Sequence, residues 1–208
     1  MRRHVDSHLT AIDRYVHLIE RDGKSAATVQ LSRHFDVNRQ TLWNAITSQE
    51  EISKWFASVS GDFKVGGSYA IENNASGVIT LCEPITHVAL TWEFAGDVSW
   101  VDVRLNNGSH SGVSFDLCHT SLLSPHWDQY GAGATGVGWE LSYFGLYQYL
   151  VHPNEAKLDE EAFAASTAGK HLIRSSSQGW AEASILAGTT AETALGAAER
   201  TTSFYLGV

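Results

Sequence analysis

Three consecutive stretches of the chain alternate apolar and polar side chains residue by residue, and this pattern limits the fold more than any other feature. Val88, Leu90, Trp92 and Phe94 alternate with Ala89, Thr91 and Glu93. Val101, Val103 and Leu105 alternate with Asp102 and Arg104. Val113, Phe115 and Leu117 alternate with Ser114, Asp116 and Cys118. A period of two puts one face of an antiparallel sheet in a core and the other in water. Gly96-Asp97 and Asn106-Asn107-Gly108 supply the turns between the runs. Phe63, Val65, Tyr69 and Ile71 form an earlier strand, interrupted at Gly66-Gly67 by a bulge or bend. Gly77 to Cys82 is another strand, and Val29, Leu31 and Phe35 fit one more. Tyr15 to Glu20 pairs with it through Arg21-Asp22-Gly23-Lys24 if it is a strand. Val5, Leu9, Ile12, Val16 and Ile19 also lie at helical spacing, so strand and helix both stay open for residues 5–20.

Helices interrupt this sheet. Asn38 is an N-cap for Arg39 to Thr47, and Ser48-Gln49-Glu50-Glu51 reads as a capping box for a short helix ending near Trp55-Phe56. A longer helix is expected from Val137 to Leu150, apolar on nearly every side, so it needs cover on several sides. Residues 152–208, rich in Ala, Ser and Thr, carry further helix signals, with Gly188 as a stop and Thr189-Thr190-Ala191-Glu192 as a capping box. The order predicts an α+β chain in which a curved antiparallel sheet closes round one long helix and leaves a cavity where the two do not touch.

Composition excludes several roles. The formal charge is −9 over 208 residues, without the basic footprint of a nucleic-acid binder or of a protein of anionic membranes. No apolar run approaches the ~18 residues of a membrane span, and the basic N-terminus is followed by no apolar block, so no secretory signal is expected. Cys82 and Cys118 are the only cysteines, which makes a reducing cytoplasm the default.

The chemical motifs are weak. Gly131-Ala132-Gly133-Ala134-Thr135-Gly136 matches G-x-G-x-x-G, but a dinucleotide site needs a buried strand before it, and Ser124-Pro125-His126-Trp127-Asp128 reads as loop. A mobile loop over a cavity mouth is the better reading of those glycines. Cys118, His119, His126 and Asp128 match no metal template, and no metal or cofactor is expected. No catalytic set is expected either. Glu93 and Asp116 should face water, Cys118 and His119 point to opposite faces, and Gly108-Ser109-His110-Ser111-Gly112 places His where a hydrolase nucleophile would stand. The aromatic residues carry more. Trp92, Phe94, Phe115, Trp139, Tyr143 and Tyr147 are expected to project from sheet and helix into one interior, with His119 near its mouth.

An ordered series of segments resembles the homologues of the activator of the heat-shock-protein-90 ATPase. Leu42-Trp43-Asn44-Ala45-Ile46-Thr47 and Ile52-Ser53-Lys54-Trp55-Phe56 look like its opening helices. Gly61 to Gly67, Gly77 to Pro84, Leu90-Thr91-Trp92-Glu93, His119-Thr120 and Gly138-Trp139-Glu140 continue it. The resemblance spans roughly residues 27–151 and implies the START-like (SRPBCC) superfamily with its helix-grip fold and an apolar cavity. It divides the chain into a helix-grip domain over 1–151, with 1–26 as an extension, and a helical C-terminal extension over 152–208. The expected function is non-catalytic binding of a small hydrophobic or aromatic ligand, with Trp55, Trp92, Phe94, Phe115, His119, Trp139, Tyr143 and Tyr147 as cavity candidates. The alternatives are a chaperone-ATPase-activator-like interaction module, with a chaperone as partner, and a cavity enzyme of hydrolase or cyclase type. Trp180, Leu195, Phe204 and Tyr205 suggest a homodimer contact through the tail.

Overall fold

The computed structural model describes residues 1–108 and 112–208; Ser109, His110 and Ser111, read from sequence as a turn, lie outside the described residues. In chain order the elements are α1 (Arg2–Thr10), β1 (Ile12–Arg21), β2 (Lys24–Phe35), α2 (Arg39–Thr47), α3 (Gln49–Ser53), β3 (Val59–Gly61), β4 (Ser68–Ile71), β5 (Ser76–Glu83), β6 (His87–Phe94), β7 (Asp97–Asn107), β8 (Val113–Leu122), α4 (Pro125–Tyr130), α5 (Gly133–Val151), α6 (Glu160–Ala165), α7 (Thr167–Leu186) and α8 (Ala191–Leu206). The strands form one sheet in the order β1-β2-β8-β7-β6-β5-β4-β3. The chain divides into two compact units, residues 1–31, 122–144 and 158–208, and residues 32–121 and 145–157.

In the second unit, the three alternating runs are β6, β7 and β8, paired antiparallel as their pattern requires. Ile79, Leu90, Val101 and His119 stand in one row across β5 to β8. Asp102, Cys118, Arg104 and Asp116 occupy the opposite face of β7 and β8. Asn38 caps α2, its side chain accepting from the Thr41 N–H at 2.8 Å. Ser48 holds the N-cap position of α3, although its side chain makes no capping bond. The expected strand from Phe63 starts only at Ser68. Residues 63–65 are exposed, and Gly66 at φ +81° turns the chain into β4.

In the first unit, both readings of residues 5–20 turn out partly right: a helix to Thr10, then a strand from Ile12. β1 and β2 join through Asp22 and Gly23, at φ 51° and 74°, the signature of a type I′ hairpin. The loop expected after β8 is helical. Ser124 caps α4 with Pro125 at its first position, and α5 opens at Gly133, four residues earlier than the sequence suggests. The cap of α8 stands one residue later than expected, since Thr190 rather than Thr189 accepts from the Thr193 N–H. The glycine motif proves to be a packing seat for the C-terminal helices. A Cβ on Gly136 would fall 2.1 Å from the Trp180 ring, and one on Gly133 would meet Thr201 at 3.0 Å. Three side chains of α8 then hold carbonyls of the α4–α5 corner: Arg200 to Gln129 (2.6 Å), Thr201 to Tyr130 (3.0 Å) and Tyr205 to Ala134 (2.6 Å). Trp180 is therefore buried within its own chain, while Leu195 and Phe204 remain exposed.

The interior of this unit also holds a charge. Glu140 is fully buried, and Arg14 binds it through two parallel bonds of 2.7 Å, from Nε to Oε1 and from Nη2 to Oε2. The Ser176 hydroxyl donates to Oε1 at 2.7 Å. A buried carboxylate is tolerated only when paired and hydrogen-bonded in this way.

Candidate functional site in the second unit

The apolar face of β5 to β8 is the best-formed candidate. Val59, Tyr69, Ile71 and Ile79 make a buried cluster, against which Ile52, Phe56, Val88, Leu90 and Trp92 pack only half-buried. Register explains the grouping. Leu90 lies between Ile79 and Val101, and Trp92 pairs with Ser99, so Leu90, Trp92, Ser99 and His119 share one face. The Trp92 and His119 rings stand 5.9 Å apart. His119 Nε2 lies 2.8 Å from the Ser99 hydroxyl. Burial of the imidazole lowers its pKa to about 4, so it is neutral at physiological pH. Such a ring hydrogen-bonds its neighbours without placing a charge in the apolar face.

Farther along this face sits a residue that sequence reasoning passed over. Arg33 alternates with outward-facing Ser32 and His34 in β2 and is 5 % exposed. Its guanidinium lies 4.2 Å from the centre of the Tyr147 ring and 5.0 Å from that of Phe35. Phe35 in turn lies 6.1 Å from Phe115. Two aromatic faces stabilise a cation in an otherwise apolar setting. The only sequence signal is a charged residue on the same strand parity as Val29, Leu31 and Phe35.

The predicted residues distribute unevenly. Trp92 and His119 come together, Phe115 joins the Phe35–Arg33–Tyr147 group, and Trp55 is half-buried beside Phe56 with its indole N–H donating to Ala45 at 2.8 Å. Phe94, expected to point inward, is 55 % exposed, because it sits at the end of β6 opposite Asp97 where the apolar face has run out. Trp139 and Tyr143 lie in the other unit, the first half-buried and the second fully packed. The final turns of α5 are tied to α3 by the Tyr149 hydroxyl donating to Glu51, which also pairs with Lys54 at 2.7 Å.

The opposite face carries the polar groups. His87 Nε2 lies 2.6 Å from Asp102, which also takes Arg104 at 3.1 Å. Cys118 pairs in register with Asp102, so the carboxylate rather than the imidazole is the thiol's neighbour. Burial pushes the Cys118 thiol up to about 11, and a thiol at neutral pH is a poor nucleophile. Asp116, expected to be solvated, is half-buried and accepts from Ser32 and from Asn106 (2.7 Å). Among the described residues, no three His, Cys, Asp or Glu side chains group as metal ligands would, and no helix is long and apolar enough to cross a membrane.

Residues 36–151 match the family model described as activator of Hsp90 ATPase homolog 1-like protein. The chain belongs to this family. Among solved structures, CalU16 from Micromonospora echinospora is similar over 86 % of this chain. Its crystal structure shares 23 % identity at a TM-score of 0.66 over 99 % of that chain, and its solution structure 24 % at 0.69 over 97 %. DynU16, from the dynemicin biosynthetic locus, shares 18 % identity at a TM-score of 0.56, over 64 % of this chain and 50 % of its own. PFC0360w, an HSP90 activator from Plasmodium falciparum, shares 20 % at 0.50, over 60 % and 94 %. None of the curated proteins compared with the chain matches it. Likeness at this identity is likeness of fold, here the α+β helix-grip class of the family, and activity has to be argued from the site.

Proposed function

We propose that the apolar face of β5 to β8 binds a small hydrophobic or aromatic ligand without transforming it, as a protein of the reducing cytoplasm. One observation carries this reading. Val88, Leu90 and Trp92 lie on β6, with a strand on either side, yet they stay half-buried next to a fully formed cluster. Apolar side chains in the middle of a sheet are left uncovered at a cost of about 25 cal/mol per Å² of exposed surface, which a ligand would recover. His119, whose ring stands 5.9 Å from that of Trp92, borders that surface with a group able to orient a polar end of the ligand. A neighbour in fold, DynU16, comes from a biosynthetic locus, in keeping with a small organic ligand. Titration with the neutral fluorophore N-phenyl-1-naphthylamine tests the site. The intact protein should enhance its emission saturably, and Trp92→Arg, folded by circular dichroism, should abolish the effect. Equal binding by both proteins would overturn the assignment.

A second reading, a chaperone-activating interaction module, is favoured by one feature. Phe94 and Val98 expose 55 % and 47 % of their surface at the β6–β7 hairpin end, one on each face, as apolar groups a protein partner could cover. Stimulation of a chaperone ATPase by the intact protein, lost in Phe94→Asp, would support it.

A further inference from the structure

β1 is an edge strand of the sheet, and its charged side chains, which protect such edges, stand only toward its two ends, leaving Tyr15 to Ile19 without one. Its ten residues contain no proline and no lysine, and Tyr15, Leu18 and Ile19 are 47 %, 52 % and 41 % exposed. Leu18 shares a face with buried Ile12 and Val16, at the point where their cover ends. The type I′ turn makes Arg21 and Lys24 the closing hydrogen-bonded pair, so the odd-numbered residues of β1 bond toward β2. Arg14, Val16, Leu18 and Glu20 therefore direct their N–H and C=O groups to the open edge.

We propose that this edge pairs antiparallel with β1 of a second copy of the chain, about a two-fold axis through His17. That register sets Asp13 against Arg21, Tyr15 against Ile19, Val16 against Leu18 and Arg14 against Glu20, each twice. Every exposed apolar side chain of the strand meets an apolar partner, and Asp13 meets Arg21. The outward-directed backbone groups of residues 14, 16, 18 and 20 meet each other as a hydrogen-bonded ladder requires. The adjacent registers do not do this. An axis through Val16 sets Asp13 against Ile19 and Ile12 against Glu20, and one through Leu18 sets Tyr15 against Arg21 and Val16 against Glu20. Self-complementarity in a single register is what an isologous interface requires. Arg14 keeps its bond to Glu140, so the outer pair Asp13–Arg21 is the one to test.

Sedimentation velocity on the full chain over a concentration series gives the test. The unaltered protein should dimerise. Asp13→Arg and Arg21→Asp, each folded by circular dichroism, should each weaken the dimer by roughly tenfold through like-charge pairs. Mixing the two variants should restore it. At one end the introduced arginine then faces the introduced aspartate, and at the other the unaltered Arg21 and Asp13 still meet. A monomer at all concentrations overturns the proposal. So does a dimer indifferent to either substitution, or one that mixing fails to restore. None of these results bears on ligand binding in the other unit.

Discussion

Two buried polar groups, one in each unit, are accommodated in opposite ways. In the first, Glu140 and Arg14 are 126 residues apart in sequence and meet as a bidentate pair, with Ser176 completing the shell. In the second, His119 is buried with a neutral hydroxyl beside it and gives up its charge instead. A paired charge locks the elements that carry it, because neither partner can be left alone in a core. A neutral imidazole needs no counter-charge, and the Ser99 hydroxyl at 2.8 Å from Nε2 is partner enough. Arg33, also in the second unit, is a third case, a buried cation held between the Tyr147 and Phe35 rings.

Removing one member of the pair should have the largest effect. Glu140→Ala or Arg14→Ala is expected to cost about 3–5 kcal/mol in urea unfolding, whereas Arg14→Met with Glu140→Leu should recover most of it. Near-additive losses in the double variant would mean that the two groups are not coupled.

His119 should show itself through pH. The unfolded imidazole protonates near its ordinary 6.5 and the folded one only near 4. As pH falls from 6.5 toward 4 the unfolded state binds the extra proton, so stability declines across that window and is unaffected by this group above it. The full loss is about 3 kcal/mol, and His119→Gln should flatten that part of the curve measured by urea unfolding at a series of pH values.

Gly136→Ala asks how tightly the first unit is packed. The added methyl must displace the Trp180 ring, for an expected cost of about 1–3 kcal/mol, visible as a lowered Tm. The smallest change should come from Arg104→Ala. Its pair with Asp102 has the same chemistry as Arg14–Glu140, but its side chains are 55 % and 37 % exposed against 14 % and 0 %. A loss under about 1 kcal/mol is expected, and a larger one would put the polar face of the sheet on a par with the buried pair.

Sequence reasoning reached local features well. Asn38 names its own helix, and strict alternation fixes which faces of β7 and β8 are buried, because both signals act within a few residues. What escaped depends on distant partners. The glycines at 133 and 136 resemble a nucleotide loop until Thr201 and Trp180 are seen against them. Glu140 is the single charge in α5, but nothing local shows that Arg14 will meet it. Phe94 continues an apolar alternation, yet lies where the strand ends and cover is gone. Helix α4 could have been found from Ser124 followed by Pro125, an N-cap and first-position pair hidden by the short length of the helix.

The claim that the face around Trp92 and His119 receives a ligand is tested most directly by native mass spectrometry of freshly purified protein. A mass above that of the polypeptide, lost on denaturation and absent from Trp92→Arg, is the predicted result. A bare chain that also fails to retain any of a panel of small apolar and aromatic compounds would contradict it.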